Sequence, residues 1–105
     1  MQIILFLMNI KIHEAYRSIV AVADSDLIGK VFEEGIKQID VRESFFKGEE
    51  VDRERVIEIL KDMDKEDAIF NIVGKKSVEC GIKAGVLSKE GIIEIDGIPI
   101  GLGLF

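Results

Sequence analysis

Three stretches of the sequence combine residue types that chemistry uses. Gly74-Lys75-Lys76-Ser77 sets a glycine, two cations and a hydroxyl side by side. These are the ingredients of a phosphate-binding loop, whose glycines let backbone N–H groups surround the phosphates while a lysine reaches them. The full spacing fails, because Ile69 stands where the first glycine belongs and the hydroxyl is displaced by one position to Ser77. Nucleotide hydrolysis is therefore set aside. What remains is an anion held by Gly74 and the N–H groups of a helix start, against the plainer reading of a helix entry that needs a small residue for packing.

Asp24-Ser25-Asp26-Leu27-Ile28-Gly29 begins like a calcium loop, with carboxylates at alternate positions and glycine at the sixth. Its fifth position is Ile28 and its twelfth is Gly35, so two oxygen ligands are missing and the stretch reads as a capped turn. His13 is the only histidine, and no serine or cysteine has a paired base within sequence reach. A triad could still assemble in space from His13, Cys80 or Ser77, but a strand histidine more simply has a surface or packing role. The carboxylates are spaced as solvated helix faces and ion pairs, as in Glu54 with Glu58 and Lys61, or Lys76 with Glu79 and Lys83. No cofactor or metal site emerges.

Phe45-Phe46-Lys47 joins aromatic and cationic groups, as a stacking platform for single-stranded nucleic acid would. The plainer reading places both phenylalanines in the core. The candidate binding residues are thus Phe46, Lys47, Asn71, Gly74, Lys75, Lys76 and Ser77.

Composition limits what these residues can serve. At 105 residues the chain has room for one domain with one core. Hydrophobic residues at 48% can offset chain entropy, and 32% charge exceeds the roughly 25% of an average protein, so the class is soluble and globular. Abundant Ile, Lys and Glu beside few Gln, Asn and Cys is the bias of hyperthermophile proteins. A net charge of −6 opposes non-specific attraction to nucleic acid, leaving RNA only a local basic patch. The single cysteine, Cys80, excludes an intramolecular disulfide and a Cys-rich zinc site, and fits a cytoplasmic location. Met1 to Met8 is apolar but lacks a basic flank and is far shorter than the ~20 residues of a membrane helix. Those first seven residues read as an N-terminal extension or buried strand, with Met8 as an alternative start.

The elements that must position these groups follow from periodicity. Ile10 and Ile12 alternate with Lys11 and His13, the pattern of a half-buried strand, and Ile19 to Ala23 is a second β-branched run. Residues 3 to 13 and 18 to 24 are expected to pair as an antiparallel hairpin, with Asp24 capping a short turn through Lys30. Ile36, Ile39 and Val41 suggest one short strand. Asp52 is the N-cap of a helix over residues 53 to 63, flanked by Val51 and Val56 at the staple positions, with Val56, Ile57, Leu60 and Met63 at helical spacing. Residues 68 to 73 form a strand ending at Gly74, where a second helix runs to Ala84 and closes at Gly85. Ile92 to Ile95 is a strand, Asp96-Gly97 signals a type I′ turn, and Ile98, Ile100, Leu102 and Leu104 alternate along the return. Pro99 predicts an edge strand there, or one whose proline nitrogen faces outward. Together these give an α+β, two-layer arrangement of a mainly antiparallel sheet with two helices on one face.

In that order, Ala21-Val-Ala-Asp24 to Leu27-Ile-Gly29-Lys30, Ser44-Phe-Phe-Lys-Gly48, Asn71-Ile-Val-Gly74, Ser77-Val78 and Ile95-Asp-Gly-Ile-Pro99 resemble the archaeal family known as domain of unknown function 424. The likeness spans Met8 to Pro99. It implies an archaeal cytoplasmic protein with a compact two-layer fold and no established activity. The family pattern commonly follows the proline with His, a small residue and Gln, whereas here Ile100-Gly101-Leu102 follows Pro99. A role tied to that polar end does not carry over.

Three functions are expected in descending order. The first is a non-enzymatic interaction module that binds a protein partner or itself, suggested by apolar terminal strands and the missing catalytic constellation. The second is an RNA-associated factor using Phe46, Lys47, Lys75 and Lys76, and the third is a small-molecule enzyme. No membrane partner is expected.

Overall fold

A computed structural model describes residues 7–103 of the chain. The expectations for the first residues and for Leu104 lie outside that range, except for Met8, which begins a strand. In chain order the elements are β1 (Met8–His13), β2 (Ile19–Asp24), a 3-10 turn (Ser25–Leu27), β3 (Val31–Glu34), β4 (Lys37–Asp40) and α1 (Glu43–Phe46). Then follow β5 (Glu49–Val51), α2 (Arg53–Asp64), β6 (Ile69–Val73), α3 (Lys75–Ala84), a second 3-10 turn (Lys89–Gly91), β7 (Ile93–Ile95) and β8 (Ile98–Gly103).

Six strands form one sheet in the order β5-β1-β2-β6-β8-β7, and every pairing is antiparallel except β2 with β6. The period-two alternation divides its side chains between two faces. On the first, Met8, Ile10, Val20, Val22, Phe70 and Ile72 meet Val56 and Leu60 of α2 and Val78 and Cys80 of α3 in one buried cluster. On the second, Ala21, Ala23, Val73, Ile95 and Ile100 meet Leu27, Val41 and Phe46. The fold is therefore α+β with its two long helices on one face, as expected, while the 3-10 turn, α1 and a small hairpin cover part of the other.

That hairpin corrects one expectation. The short strand expected over residues 36 to 41 is present as β4, but it is not isolated: β3, which is not among the expected strands, pairs with it in a separate two-stranded sheet, turning at Gly35-Ile36. Ile36 sits fully exposed at the tip beside Gly35, whose φ is +64°. The apolar residues there are too sparse to mark two strands, and the turn needs the positive φ that glycine supplies.

The helix ends follow their local signals. Asp52 caps α2 by accepting from Arg55 N–H at 3.0 Å, and Val51 and Val56 both enter the first cluster. α3 ends at Gly85 with φ +83°, where Val86 N–H donates to Gly81 C=O and Gly85 N–H to Ile82 C=O. These two bonds are the Schellman arrangement, and they turn Val86 and Leu87 back into the core. Asp96 and Gly97 both have positive φ, as a type I′ turn requires.

Pro99 is not on an edge, since β8 lies between β6 and β7. Its carbonyl accepts from Gly74 N–H at 2.9 Å, so its nitrogen faces the same strand. Gly74 C=O has already turned to accept from Val78 N–H of α3. The missing proline donor thus falls where β6 has ended, and the ladder loses nothing.

Candidate functional site

The entry to α3, where an anion site is expected, is already occupied by the protein's own carboxylate. Asp24, the last residue of β2, accepts from Lys76 N–H at 3.2 Å and from Ser77 N–H at 2.8 Å. Ser77 Oγ donates to it as well, at 2.7 Å. Ser77 is fully buried, so this bond satisfies its hydroxyl. Asp24 does not cap the 3-10 turn after it by side chain; it neutralises the positive end of a helix that begins 51 residues later. Gly74 is compelled by the same contact, since its φ is +109° and a Cβ there would lie 2.4 Å from Asp24 Cγ. Of the expected anion-binding group, Gly74 and Ser77 are consequently structural, and Lys75 and Lys76 are exposed at the start of the helix.

The polar side of β1 holds the aromatic segment. Asn9, Lys11 and His13 project from one face of β1, and each engages residues 25 or 44–48. Asn9 Nδ2 donates to Ser25 Oγ at 2.9 Å while its Oδ1 accepts from Gly48 N–H at 3.1 Å. Lys11 Nζ donates to Ser44 C=O, and His13 Nε2 lies 2.8 Å from Phe45 C=O. These two carbonyls belong to α1, which is too short to satisfy them itself. The His13 ring stacks on Phe45 with centroids 4.6 Å apart, and Phe45 meets Phe46 edge-on. Phe46 is 4% exposed in the second cluster, so it offers no open face for a base. Lys47 is exposed but follows α1 on the second face, whereas Lys75 and Lys76 open a helix on the first. Phe46 and Lys47 thus belong to the covering of one face of the sheet, and Lys75 and Lys76 to the helix on the other.

The groups that could form a nucleophilic triad are also separated. His13 is on the second face; Cys80 is buried on the first, its Sγ 3.8 Å from Met8 Sδ, and burial pushes its thiol pKa up. Glu79 pairs across the helices with Arg53 at 2.7 Å rather than mainly within α3. The Arg53 guanidinium holds its carboxyl below the ordinary range, with Lys76 and Lys83 adding less. Glu58, expected to neighbour Glu54 and Lys61, bonds Arg55 instead.

The covering of the second face stops part-way along the sheet. Ile100 is buried there, but Leu102, two residues on along β8, is 59% exposed. Leu102 lies opposite Asn71, the half-buried candidate residue of β6, and Ile93, opposite Ile100 on β7, is 52% exposed. Half-buried Ile69 and Ile19 continue the same face across β6 and β2. Asn71 is therefore the expected binding residue that borders this open apolar surface, with buried Ala21 on its other side. The signal for Leu102 is present in the alternation Ile98, Ile100, Leu102, but alternation does not tell how far the covering layer reaches.

Comparison with known proteins adds family and fold. A family model described as "Protein of unknown function (DUF424)" matches residues 13–101. The crystal structure of an uncharacterized conserved protein from Methanopyrus kandleri superposes with a TM-score of 0.79 at 20% sequence identity, covering 91% of this chain and 89% of that one. No curated protein sequence matches the chain.

Proposed function

This chain belongs to the DUF424 family of proteins of unknown function, and from its fold we propose a non-enzymatic module that binds a partner protein through the open end of its sheet. The observation that carries this reading is the pair Leu102 and Ile93, exposed on one face of adjacent strands beside Asn71. Single exposed aliphatics are ordinary, but neighbouring ones on a sheet are held in fixed positions and lose little freedom when covered.

The occupant is a partner protein rather than a second copy. Two copies each carrying −6 repel as they approach, whereas a partner with cationic residues around an apolar centre is attracted. The cytoplasm of an archaeon is the proposed setting, in keeping with the free thiol of Cys80 and the likeness to the Methanopyrus kandleri protein. Among the described residues no helix is long and apolar enough to cross a membrane.

The reading is tested by placing a photo-cross-linking amino acid at position 102, with position 61 on the exposed side of α2 as control. Adducts from position 102 to a protein segment that is apolar with basic flanks, lost in Ile93→Asp, support it. Adducts only between copies, or equal yields at the two positions, overturn it.

A further inference from the structure

We infer that the partner is engaged as an extended peptide that pairs with the backbone of Leu102, beyond the end of β7, and sets an apolar side chain into the adjoining cavity. This inference rests on the proposed interaction module and specifies its mode. The first observation is one of register. Because Pro99 C=O bonds Gly74 N–H, residues 99, 101 and 103 of β8 turn their backbone polar groups toward β6. Residues 98, 100 and 102 turn theirs to the other side. There Ile98 and Ile100 meet Ile95 and Ile93, but β7 begins at Ile93 and reaches no further. Gly91, next in line, lies in a 3-10 turn with its N–H donating to Ser88 C=O. Among the described residues no strand stands opposite Leu102 on the β7 side, so its N–H and C=O, which face that way, offer the unpaired edge to which a strand can add.

The second observation is a cavity of about 300 Å³ beside that edge, whose lining includes Gly85, Val86, Leu87, Gly91, Ile92 and Gly103. Its volume is at the lower limit of ligand sites and suits one or two side chains. Three of its lining residues are glycines, which allow another backbone to come close. Apolar walls are supplied by Val86, Leu87 and Ile92. An added strand would alternate one side chain toward this cavity and the next toward exposed Ile93 and Leu102.

Charge selects the peptide. The exposed residues flanking the groove include Glu90 and Glu94 against Lys89, within a chain of net −6, so Lys or Arg beside the apolar positions is favoured. The chain's own edge strand β5 carries Glu49 and Glu50 and is a poor donor for a second copy.

The experiment selects short random peptides displayed on phage against the full chain and measures the enriched peptides in solution. Enrichment of alternating apolar residues with Lys or Arg is expected. N-methylation at successive peptide amides should weaken binding with a period of two, by about tenfold at the sensitive positions, the loss of roughly one hydrogen bond. Bound peptide should slow exchange of the Leu102 amide, and Gly91→Leu, which fills the cavity, should abolish binding while leaving thermal unfolding little changed. Uniform sensitivity to N-methylation, or Leu102 exchange unaffected by peptide, overturns the strand mode. So does a chain ending at Gly103 that binds peptides the full chain does not, since residues 104–105 would then be the occupant. If cross-linking from position 102 still captures a partner in any of these cases, the interaction module stands and only its strand mode falls.

Discussion

One carboxylate oxygen of Asp24 accepts two hydrogen bonds from Ser77, from its N–H at 2.8 Å and its Oγ at 2.7 Å, across 53 positions of sequence. The pair joins the end of β2 to the start of α3, next to the one parallel pairing in the sheet. An internal anion thus fills the place that a bound phosphate would take at a helix start, and it fixes the helix against the sheet instead.

Removing that carboxylate should cost stability. Asp24→Ala loses a helix cap and leaves the buried Ser77 hydroxyl without its acceptor, together about 2 kcal/mol. Asp24→Asn keeps one acceptor oxygen for Ser77 but sets an amide NH2 against Lys76 N–H, so it should lose about half as much, the charge and that one bond being gone. Urea unfolding of the two variants against the parent checks the order. A loss below about 0.5 kcal/mol for Asp24→Ala would mean that water replaces the carboxylate.

Gly74→Ala faces two penalties at once. Its φ of +109° is a conformation that side-chain-bearing residues rarely adopt, and its new Cβ would overlap Asp24. About 3 kcal/mol is expected. Adding Asp24→Ala relieves the overlap but not the backbone strain, so the double variant should cost about 1 kcal/mol less than the sum. Strict additivity in the same unfolding measurements would contradict the contact.

Leu87 occupies a slot between two glycines, for a Cβ on Gly81 would lie 2.6 Å, and one on Gly101 2.5 Å, from its Cδ1. Gly101→Ala should therefore destabilise by about 2 kcal/mol through overpacking, and Leu87→Ala by about 3 kcal/mol through the void it leaves. Together they should cost less than the sum, because the added methyl occupies space the leucine has vacated. This accounts for the small residue between Ile100 and Leu102: it faces the helices while its neighbours face the other side.

The Cys80 thiol should be inert in the folded protein. It is buried between α3, Met8 and the Arg53 carbonyl, and burial raises its pKa from 9.0, which suppresses the reactive thiolate. Labelling with a soluble disulfide reagent at neutral pH should proceed only as fast as the protein opens, and Asp24→Ala should accelerate it. Rapid labelling of the stable parent would disprove this burial.

Much of the fold is legible where a local rule governs it. Asp52, Gly85 and Asp96-Gly97 each act through neighbours a few residues away, and the sequence names their roles. The β1–β2 hairpin follows from alternation alone. What escapes local reading is what depends on distant pairing. Asp24 looks like the cap of the next turn because nothing nearby announces Ser77, and β3, the partner of the expected strand β4, is hidden because Val31 and Phe32 are too few to set a period. The candidate site divides in the same way. Gly74 and Ser77 stand out in the sequence, and in the fold both meet the half-buried carboxylate of Asp24, while the open surface at Asn71 and Leu102 depends on where a covering hairpin stops.

The ion pair between Arg53 and Glu79 gives the stability a dependence on acid. With its folded pKa held below the ordinary carboxylate value of 4.5, Glu79 binds a proton less readily in the folded chain than in the unfolded one. The folded state therefore gains from its charge above that ordinary value, and the gain disappears as pH falls through the lowered one. Glu79→Gln should be less stable than the parent near neutral pH and converge with it in acid. Both partners are substantially exposed, so the difference should be small and should shrink in concentrated salt. Urea midpoints of parent and variant, measured across pH at low and high salt, decide the matter: a gap that persists in acid would assign it to packing on α2 rather than to charge.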